Sequence, residues 1–370
     1  MKKNIVIVVS AMNMGGAQRV VSILCNHWSQ CGYDVTLIAT FTKEKINHFR
    51  LNEDVSLKYL SNNPFIPSNN ACNVIWKFIQ LRKLIKVTNP SIVISFLTRV
   101  NVATALSTFG INSSLIICER TWPPFASLDN RFFWMYRLLF KGVDKIIVQT
   151  DKSKTWLSQN FPGKDVDVIP NPIAYPLPIY GQSVRPNSVI LQNKKVILAS
   201  GRLHKFKQFD LLIKAFSNIK DKHPDWHLVI LGDGEERDDL NQLVCNLEMV
   251  DSVYFPGKVG NMSEWYERAN IFVLSSVVEG FPNVLLEAMA YGLPCISFDC
   301  DTGPRDMIQD GINGILVSPN EKELGLSKAI NKLISDEEFR RSIANNSILL
   351  RDKYSVVNII QKWNDVLDIQ

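Results

Sequence analysis

The chain is short of the features that usually assign a protein at a glance. Its 370 residues hold only seven cysteines and five histidines. The cysteines (25, 31, 72, 118, 245, 295 and 300) are odd in number and form no CxxC pair. That argues against a disulfide framework or a zinc site and for reduced thiols in a cytosolic protein. His204, His223 and His227 lack metal-like spacing and read as solvated. No stretch of about 18 residues is both apolar and uncharged, so no bilayer-spanning helix is expected. Residues 2–9, KKNIVIVV, begin like a signal peptide. The apolar part is too short and MNMGGAQR follows where a cleavage site belongs, so a first strand is expected instead. Asn112-Ser113-Ser114 matches a glycosylation acceptor, an accident in a reduced setting.

What the chain does have is apolar content, 46% over a length that suits two domains with a core each. Its charge is uneven. Residues 1–190 carry 21 Lys and Arg against 10 Asp and Glu, a net of +11; residues 191–370 carry 20 against 26, a net of −6, which together give the +5 of the whole chain. A basic first half is suited to nucleic acid, an anionic membrane surface or a phosphorylated acceptor.

Both halves alternate strand and helix signals. The first opens with a strand over Asn4–Ser10, the pair Gly15-Gly16 and a helix over Ala17–Gln30, as a Rossmann-like unit does. Two adjacent glycines are not a full G-x-G-x-x-G, so a dinucleotide cofactor is weakly supported. Further strands are expected over Asp34–Thr40, Ser91–Phe96, Leu115–Cys118 and Lys145–Gln149, with a loop over residues 61–73 and a basic helix over Ile75–Val87. The strand ending at Cys118 delivers Glu119-Arg120 to the edge where open α/β sheets keep ligands. Arg131–Lys141 is aromatic and basic, either a core helix with charged ends or a helix lying on a membrane surface. Five prolines between Pro170 and Pro186 read as an interdomain linker. The pattern then restarts with a strand over Lys195–Ser200 and ends in helical sequence from Lys322. Two parallel, doubly wound α/β domains follow, 1–180 and 190–354, with a helix over about 355–370 that returns to the first.

Most of the chemistry lies in Glu279-Gly280-Phe281-Pro282-Asn283-Val284-Leu285-Leu286-Glu287. The apolar run Asn270–Ser276 reads as a buried strand; Gly280 and Pro282 make a turn; a helix follows over Val284–Tyr291, stopped by Gly292 and Pro294. Asn283 is placed as its N-cap. The free N–H groups behind it and the positive end of the dipole make an anion site. Glu279 precedes the helix and Glu287 sits inside it. Carboxylates are poor phosphate ligands but good acceptors for vicinal hydroxyls, so the arrangement suits a nucleotide-sugar; two incidental glutamates are the plain alternative. Gly201-Arg202-Leu203-x-x-x-Lys207 sets two cations beside a glycine turn, where they would neutralise a leaving diphosphate. Asp299-Cys300-Asp301 has D-x-D spacing, but the cations and helix amides already cover the phosphates, and no metal is expected.

Together, Gly15-Gly16, Gly201-Arg202-Leu203, Lys207 and the Glu279/Glu287 pair resemble the retaining family 4 glycosyltransferases of GT-B fold, from Asn4 to about Tyr354. The segment Thr302-Gly303-Pro304-Arg305-Asp306-Met307-Ile308 with Asp310-Gly311 and Asn313-Gly314 looks like the subgroup that builds bacterial surface polysaccharides. The resemblance implies two facing Rossmann-like domains with a cleft between them. It implies that Arg202 and Lys207 hold the donor diphosphate, with backbone near Gly16 and Val284. Glu279 would contact the transferred sugar, Glu287 the ribose, and the Gly257–Val259 loop the base. Gly15, Glu119, Arg120, Gly201, Gly280, Phe281, Pro282 and Asn283 complete the expected substrate-binding set. Many relatives carry a histidine beside the sugar; that region here reads Glu119-Arg120, and no catalytic histidine is named. Retention is usually ascribed to front-face attack, which matches the lack of an obvious nucleophile.

The implied reaction moves a hexose or N-acetylhexosamine (N-acetylgalactosamine, galactose, glucose or N-acetylglucosamine) from a UDP-sugar to an undecaprenyl-diphosphate-linked saccharide. It would serve O-antigen, capsule or exopolysaccharide synthesis without a cofactor. The expected partners are the UDP-sugar donor, the lipid-linked acceptor and an anionic membrane surface, with the protein peripheral on the cytoplasmic face of the inner membrane. A nucleotide-sugar epimerase of the same fold is one competing reading. A nucleic-acid-binding protein is another, but aromatic-basic recognition motifs are missing and the acidic second half stays unexplained. No nucleic-acid partner is expected.

Overall fold

A strand buried on both faces must be apolar throughout, and Asn4–Val9 (β1) meets that condition: Ile5 to Val9 are all buried. The computed structural model describes residues 3–13, 15–40, 47–61, 71–122, 137 and 139–369. Within them the chain divides into two units: Met1–Pro170 with Ile360–Gln370, and Asn171–Ile359.

In the first unit β1 is flanked by Asp34–Ala39 (β2) and Ile92–Phe96 (β4). Ser56–Tyr59 (β3), Ser114–Cys118 (β5), Lys145–Val148 (β6) and Asp165–Val168 (β7) complete a seven-stranded parallel sheet, in the order β3-β2-β1-β4-β5-β6-β7. Isoleucine and valine from β1, β4, β5 and β6 meet Leu81, Ile85, Val100 and Leu157 from the helices in one core. The last residues belong here too. Ile360, Trp363 and Leu367 recur on one face of the C-terminal helix and are buried. The ring of Trp363 meets Trp28 edge-on at 6.2 Å, and Trp28 Nε1 donates to Asn364 Oδ1 at 3.2 Å.

The second unit repeats the plan with six parallel strands: Lys195–Ser200 (β8), Trp226–Leu231 (β9), Val253–Gly257 (β10), Ile271–Leu274 (β11), Cys295–Phe298 (β12) and Ile315–Val317 (β13), ordered β10-β9-β8-β11-β12-β13. Each sheet reverses its winding once, between β1 and β4 in the first unit and between β8 and β11 in the second.

Two expectations change, and a third falls mostly outside what is described. Most of the helix expected over Arg131–Lys141 lies outside the described residues. The basic helix runs over Ala71–Thr88, so residues 71–73 are helical rather than loop. The proline-rich stretch is not a free linker. Ile173 N–H donates to the Tyr354 carbonyl at 2.7 Å, Leu177 N–H to Tyr291 Oη at 2.8 Å and Tyr180 N–H to the Gly260 carbonyl at 3.0 Å. Asn261 closes the strap, its side chain bonding both the N–H and the carbonyl of Val184. Proline removes backbone donors only at its own position, and the residues between the prolines find partners on the second unit.

Candidate active site

Where a parallel sheet reverses its winding, the connections leave in opposite directions and open a crevice at the carboxyl ends of the strands. In the second unit that point lies between β8 and β11. Gly201-Arg202 leaves β8, and Ser275 to Glu279 leaves β11. Neighbouring loops are zipped together through the backbone. Gly201 N–H donates to the Leu231 carbonyl at 3.0 Å, Leu203 N–H to that of Asp233 at 3.1 Å, and Gly232 N–H to that of Gly257 at 2.8 Å.

Lys207 ends a single 3₁₀ turn, Lys205–Lys207, which His204 caps by accepting from Phe206 N–H. Its carbonyl accepts from Ser275 Oγ at 2.6 Å, and Val277 N–H donates to the Phe206 carbonyl at 2.9 Å, so the β8 loop is fastened to the β11 loop. Lys207 Nζ then lies 2.5 Å from Glu279 Oε1. Thr302 Oγ1 donates to the Glu279 carbonyl, fixing the residue from the β12 side. Arg202 is the more open cation, 72% exposed along its side chain, and it rests on Glu235 Oε2 at 3.1 Å.

The helix after Glu279 spans Asn283–Ala290. Pro282, not Asn283, is its N-cap, and no side chain caps it. Asn283 is the first helical residue instead, and its Oδ1 accepts from Asn171 Nδ2 at 2.7 Å. With no side-chain cap, the amides of Asn283 and Val284 are available to an anion, while Leu285 N–H donates to the Pro282 carbonyl at 3.0 Å. Phe281 is buried with its ring 5.8 Å from that of Tyr354, so it anchors the loop in the core. Glu287 is 3% exposed and accepts from Tyr266 Oη at 2.9 Å. Val259, half-buried, follows β10 in the next loop. Gly201, Arg202, Lys207, Val259 and Gly280 to Glu287 thus lie on loops and one helix at a single edge of one sheet.

The remaining expected site residues belong to the first unit. Gly15, extended at φ −174°, precedes helix Gly16–Gln30, whose start no side chain caps. Glu119 and Arg120 are buried. Thr98 Oγ1 and Asn101 Nδ2 donate to the two Glu119 oxygens at 2.7 and 2.6 Å. The Arg120 guanidinium lies 5.0 Å from the Phe96 ring and 5.8 Å from that of Trp363.

Asp299 is engaged by the Arg305 guanidinium, which a cation at the D-x-D would have to displace. Among the described residues no group of three His, Cys, Asp or Glu side chains could hold a metal ion. Burial, then the nearby Glu279 charge, pushes the Cys300 thiol up to about 12, which disfavours its thiolate. The histidines are placed by packing. His227 is buried against Tyr254 rather than solvated, and His223 pairs with Asn331 at 2.9 Å. Sequence reasoning gave no contact with the expected residues to Tyr266, Thr302, Asn171 or Glu235, which touch Glu287, Glu279, Asn283 and Arg202 respectively.

Comparison with known proteins places the chain in a family. Residues 182–349 match the family described as Glycosyl transferases group 1, and residues 14–174 match Glycosyltransferase Family 4. The N-acetylgalactosamine-N,N'-diacetylbacillosaminyl-diphospho-undecaprenol 4-alpha-N-acetylgalactosaminyltransferase of Campylobacter jejuni is 30% identical over 92% of this chain and 93% of its own. The chain belongs to glycosyltransferase family 4. This glycosyltransferase is also 28% identical, over the whole of both chains, to the amylovoran biosynthesis glycosyltransferase AmsD of Erwinia amylovora. Its fold matches that of Anabaena HepE, solved with UDP, with a TM-score of 0.81 over 99% of both chains at 18% identity. Two Rossmann-like, parallel-sheet domains of the GT-B class are the shared architecture.

Proposed function

We propose that this glycosyltransferase moves a hexose or N-acetylhexosamine, with retention, from a UDP-sugar to a lipid-diphosphate-linked saccharide in bacterial surface polysaccharide assembly. The observation that carries the reading is the Lys207–Glu279 pair, with Arg202 on the same loop after β8, at the switch point before an uncapped helix. The UDP bound by HepE and the diphospho-undecaprenol substrate in the Campylobacter enzyme's name support the donor and acceptor classes. Arg202, Lys207 and the helix amides take up charge as the sugar–phosphate bond breaks. Glu279 orients the sugar's hydroxyls, Glu287 holds the ribose, and the leaving phosphate accepts the acceptor's proton on the same face. In the first unit the amides at Gly16 serve a phosphate, and Glu119 and Arg120 hold the ends of β4 and β5 in shape. The test is UDP release from a panel of UDP-sugars, with and without an undecaprenyl-diphosphate saccharide. Acceptor-dependent release with an α-linked product supports transfer; an altered sugar without acceptor shows an epimerase.

The glutamates should separate by ligand. Glu287→Gln removes a charged acceptor from the ribose, worth about 2 kcal/mol, so UDP alone should bind roughly 30-fold more weakly. Glu279→Gln should leave UDP binding intact, because it takes a competing carboxylate from Lys207, while lowering transfer. Calorimetry with UDP checks this; equal losses in both variants contradict the division.

The first unit also has a face suited to an anionic membrane. Helix Ala71–Thr88 exposes Ile75, Trp76, Ile79 and Val87 alongside Lys83 and Lys86, and Phe109, just past helix Thr98–Thr108, is 81% exposed. Arg82 holds the Phe109 turn by donating to the Ser107 and Phe109 carbonyls at 2.8 Å. Each basic side chain near an anionic leaflet contributes on the order of 1 kcal/mol, and salt screens it. Cosedimentation should show binding to anionic vesicles at low salt, loss at high salt, and weakening by Ile75→Glu with Ile79→Glu. Equal, negligible pelleting with anionic and neutral lipid leaves the face without this role.

A further inference from the structure

Glu287 cannot orient itself. A glutamate on a helix has three side-chain torsions, and a buried carboxylate needs donors to remain in one pose. Tyr266, on helix Met262–Arg268, supplies one. Its phenol oxygen lies 2.9 Å from Glu287 Oε2 and 3.3 Å from the Val284 carbonyl. A phenol has one O–H to give, and the charged carboxylate at the shorter distance is the stronger acceptor. The tyrosine has no freedom of its own. It is 1% exposed, with Phe272 edge-on at 6.0 Å and the tilted ring of Tyr291 at 5.5 Å. Tyr291 is held in turn, its hydroxyl accepting from Leu177 N–H. A chain of fixed groups therefore runs from the strap through two aromatic rings to the carboxylate.

We propose that Tyr266 is a positioning residue that sets the plane of the Glu287 carboxylate and so makes the donor site discriminate ribose from 2'-deoxyribose. The inference rests on the reading that Glu287 receives the ribose. A carboxylate meets two vicinal hydroxyls at once only when its plane is set. With the plane fixed, a ligand lacking the 2'-hydroxyl forfeits a hydrogen bond to a charged acceptor that cannot turn to recover it. With the phenol gone, the carboxylate rotates to suit whichever hydroxyl remains, and the difference between the ligands shrinks.

The experiment measures Kd for UDP and 2'-deoxy-UDP with the full-length wild type, Tyr266→Phe and Glu287→Gln, beside kcat at saturating donor. The wild type should prefer UDP by roughly 10- to 100-fold, the value of one hydrogen bond to a charged group. Tyr266→Phe keeps both ring contacts and should reduce the preference to about 3-fold or less, chiefly through weaker UDP binding, with kcat within about 2-fold of wild type. A purely structural tyrosine would weaken both ligands equally; an unchanged ratio in Tyr266→Phe, with the ratio lost in Glu287→Gln, overturns the proposal and spares the ribose assignment. An unchanged ratio in Glu287→Gln overturns the ribose assignment itself. Should Tyr266→Phe not fold, 3-fluorotyrosine at 266 provides a stronger donor in the same space. The preference should then rise, and a fall would equally overturn the proposal.

Discussion

Arg202→Ala and Lys207→Ala should each lower kcat/KM roughly 30- to 1,000-fold while the protein stays folded. A cation that meets a leaving diphosphate strengthens its contact as charge develops, and such a contact is worth about 2–4 kcal/mol. The two positions should not be equal. Arg202 projects into solvent and rests on a half-exposed Glu235, an ion pair of the kind that adds little to stability. Its removal should change activity and leave the melting temperature alone. Lys207 is more enclosed, its stem against Gly201 and its ammonium on Glu279, which is 12% exposed. Losing that ammonium leaves a largely buried carboxylate without its counter-charge, so Lys207→Ala should show the larger kinetic loss and a modest fall in melting temperature. Steady-state kinetics and thermal unfolding of both variants check the order. Near wild-type turnover in both would remove them from the diphosphate.

The parts legible in the sequence were those where one local rule acts alone. Central strands such as Ile92–Phe96 must be apolar on both faces, and their β-branched runs announce them. Glycine and proline mark the turns at Gly280–Pro282 and Gly232–Gly234. Helix Thr98–Thr108 was not legible, because Thr98, Val100, Val102, Thr104 and Thr108 favour strand locally and burial on nearly every side erases its amphipathic period. The strap from Asn171 to Val184 was hidden for another reason: its partners, Tyr354, Tyr291 and Asn261, lie more than 70 residues away. Asn171 and Asn283 are 112 residues apart and Thr302 and Glu279 are 23 apart, and no motif spacing connects either pair. The charged residues proposed for the donor site, Arg202, Lys207, Glu279 and Glu287, were named from the motif. The groups that hold them in place required the fold.

Gly232→Ala should be among the most damaging single substitutions in the second unit. Gly232 has φ +129°, and a Cβ there would stand 1.8 Å from the Gly201 carbonyl oxygen. That neighbour is backbone, with no flexible side chain to yield, so the β8 and β9 loops must part. Backbone strain of about 1–3 kcal/mol adds to the steric displacement, a total on the order of 3 kcal/mol, or roughly 6–12 °C in Tm for a unit of this size. The function should suffer more than the stability. Gly201 leads directly into Arg202, and a shift of about 1 Å in such a group can lower turnover on the order of 100-fold. Gly311→Ala is the control. It too has a left-handed φ of +72°, but nothing lies within 4 Å of its Cβ, so it carries the conformational penalty without the collision. Gly311→Ala should lose about 1 kcal/mol of stability and keep its kcat/KM. If instead the two variants match in both melting temperature and kcat/KM, the close approach of Gly232 to Gly201 has no part in placing Arg202.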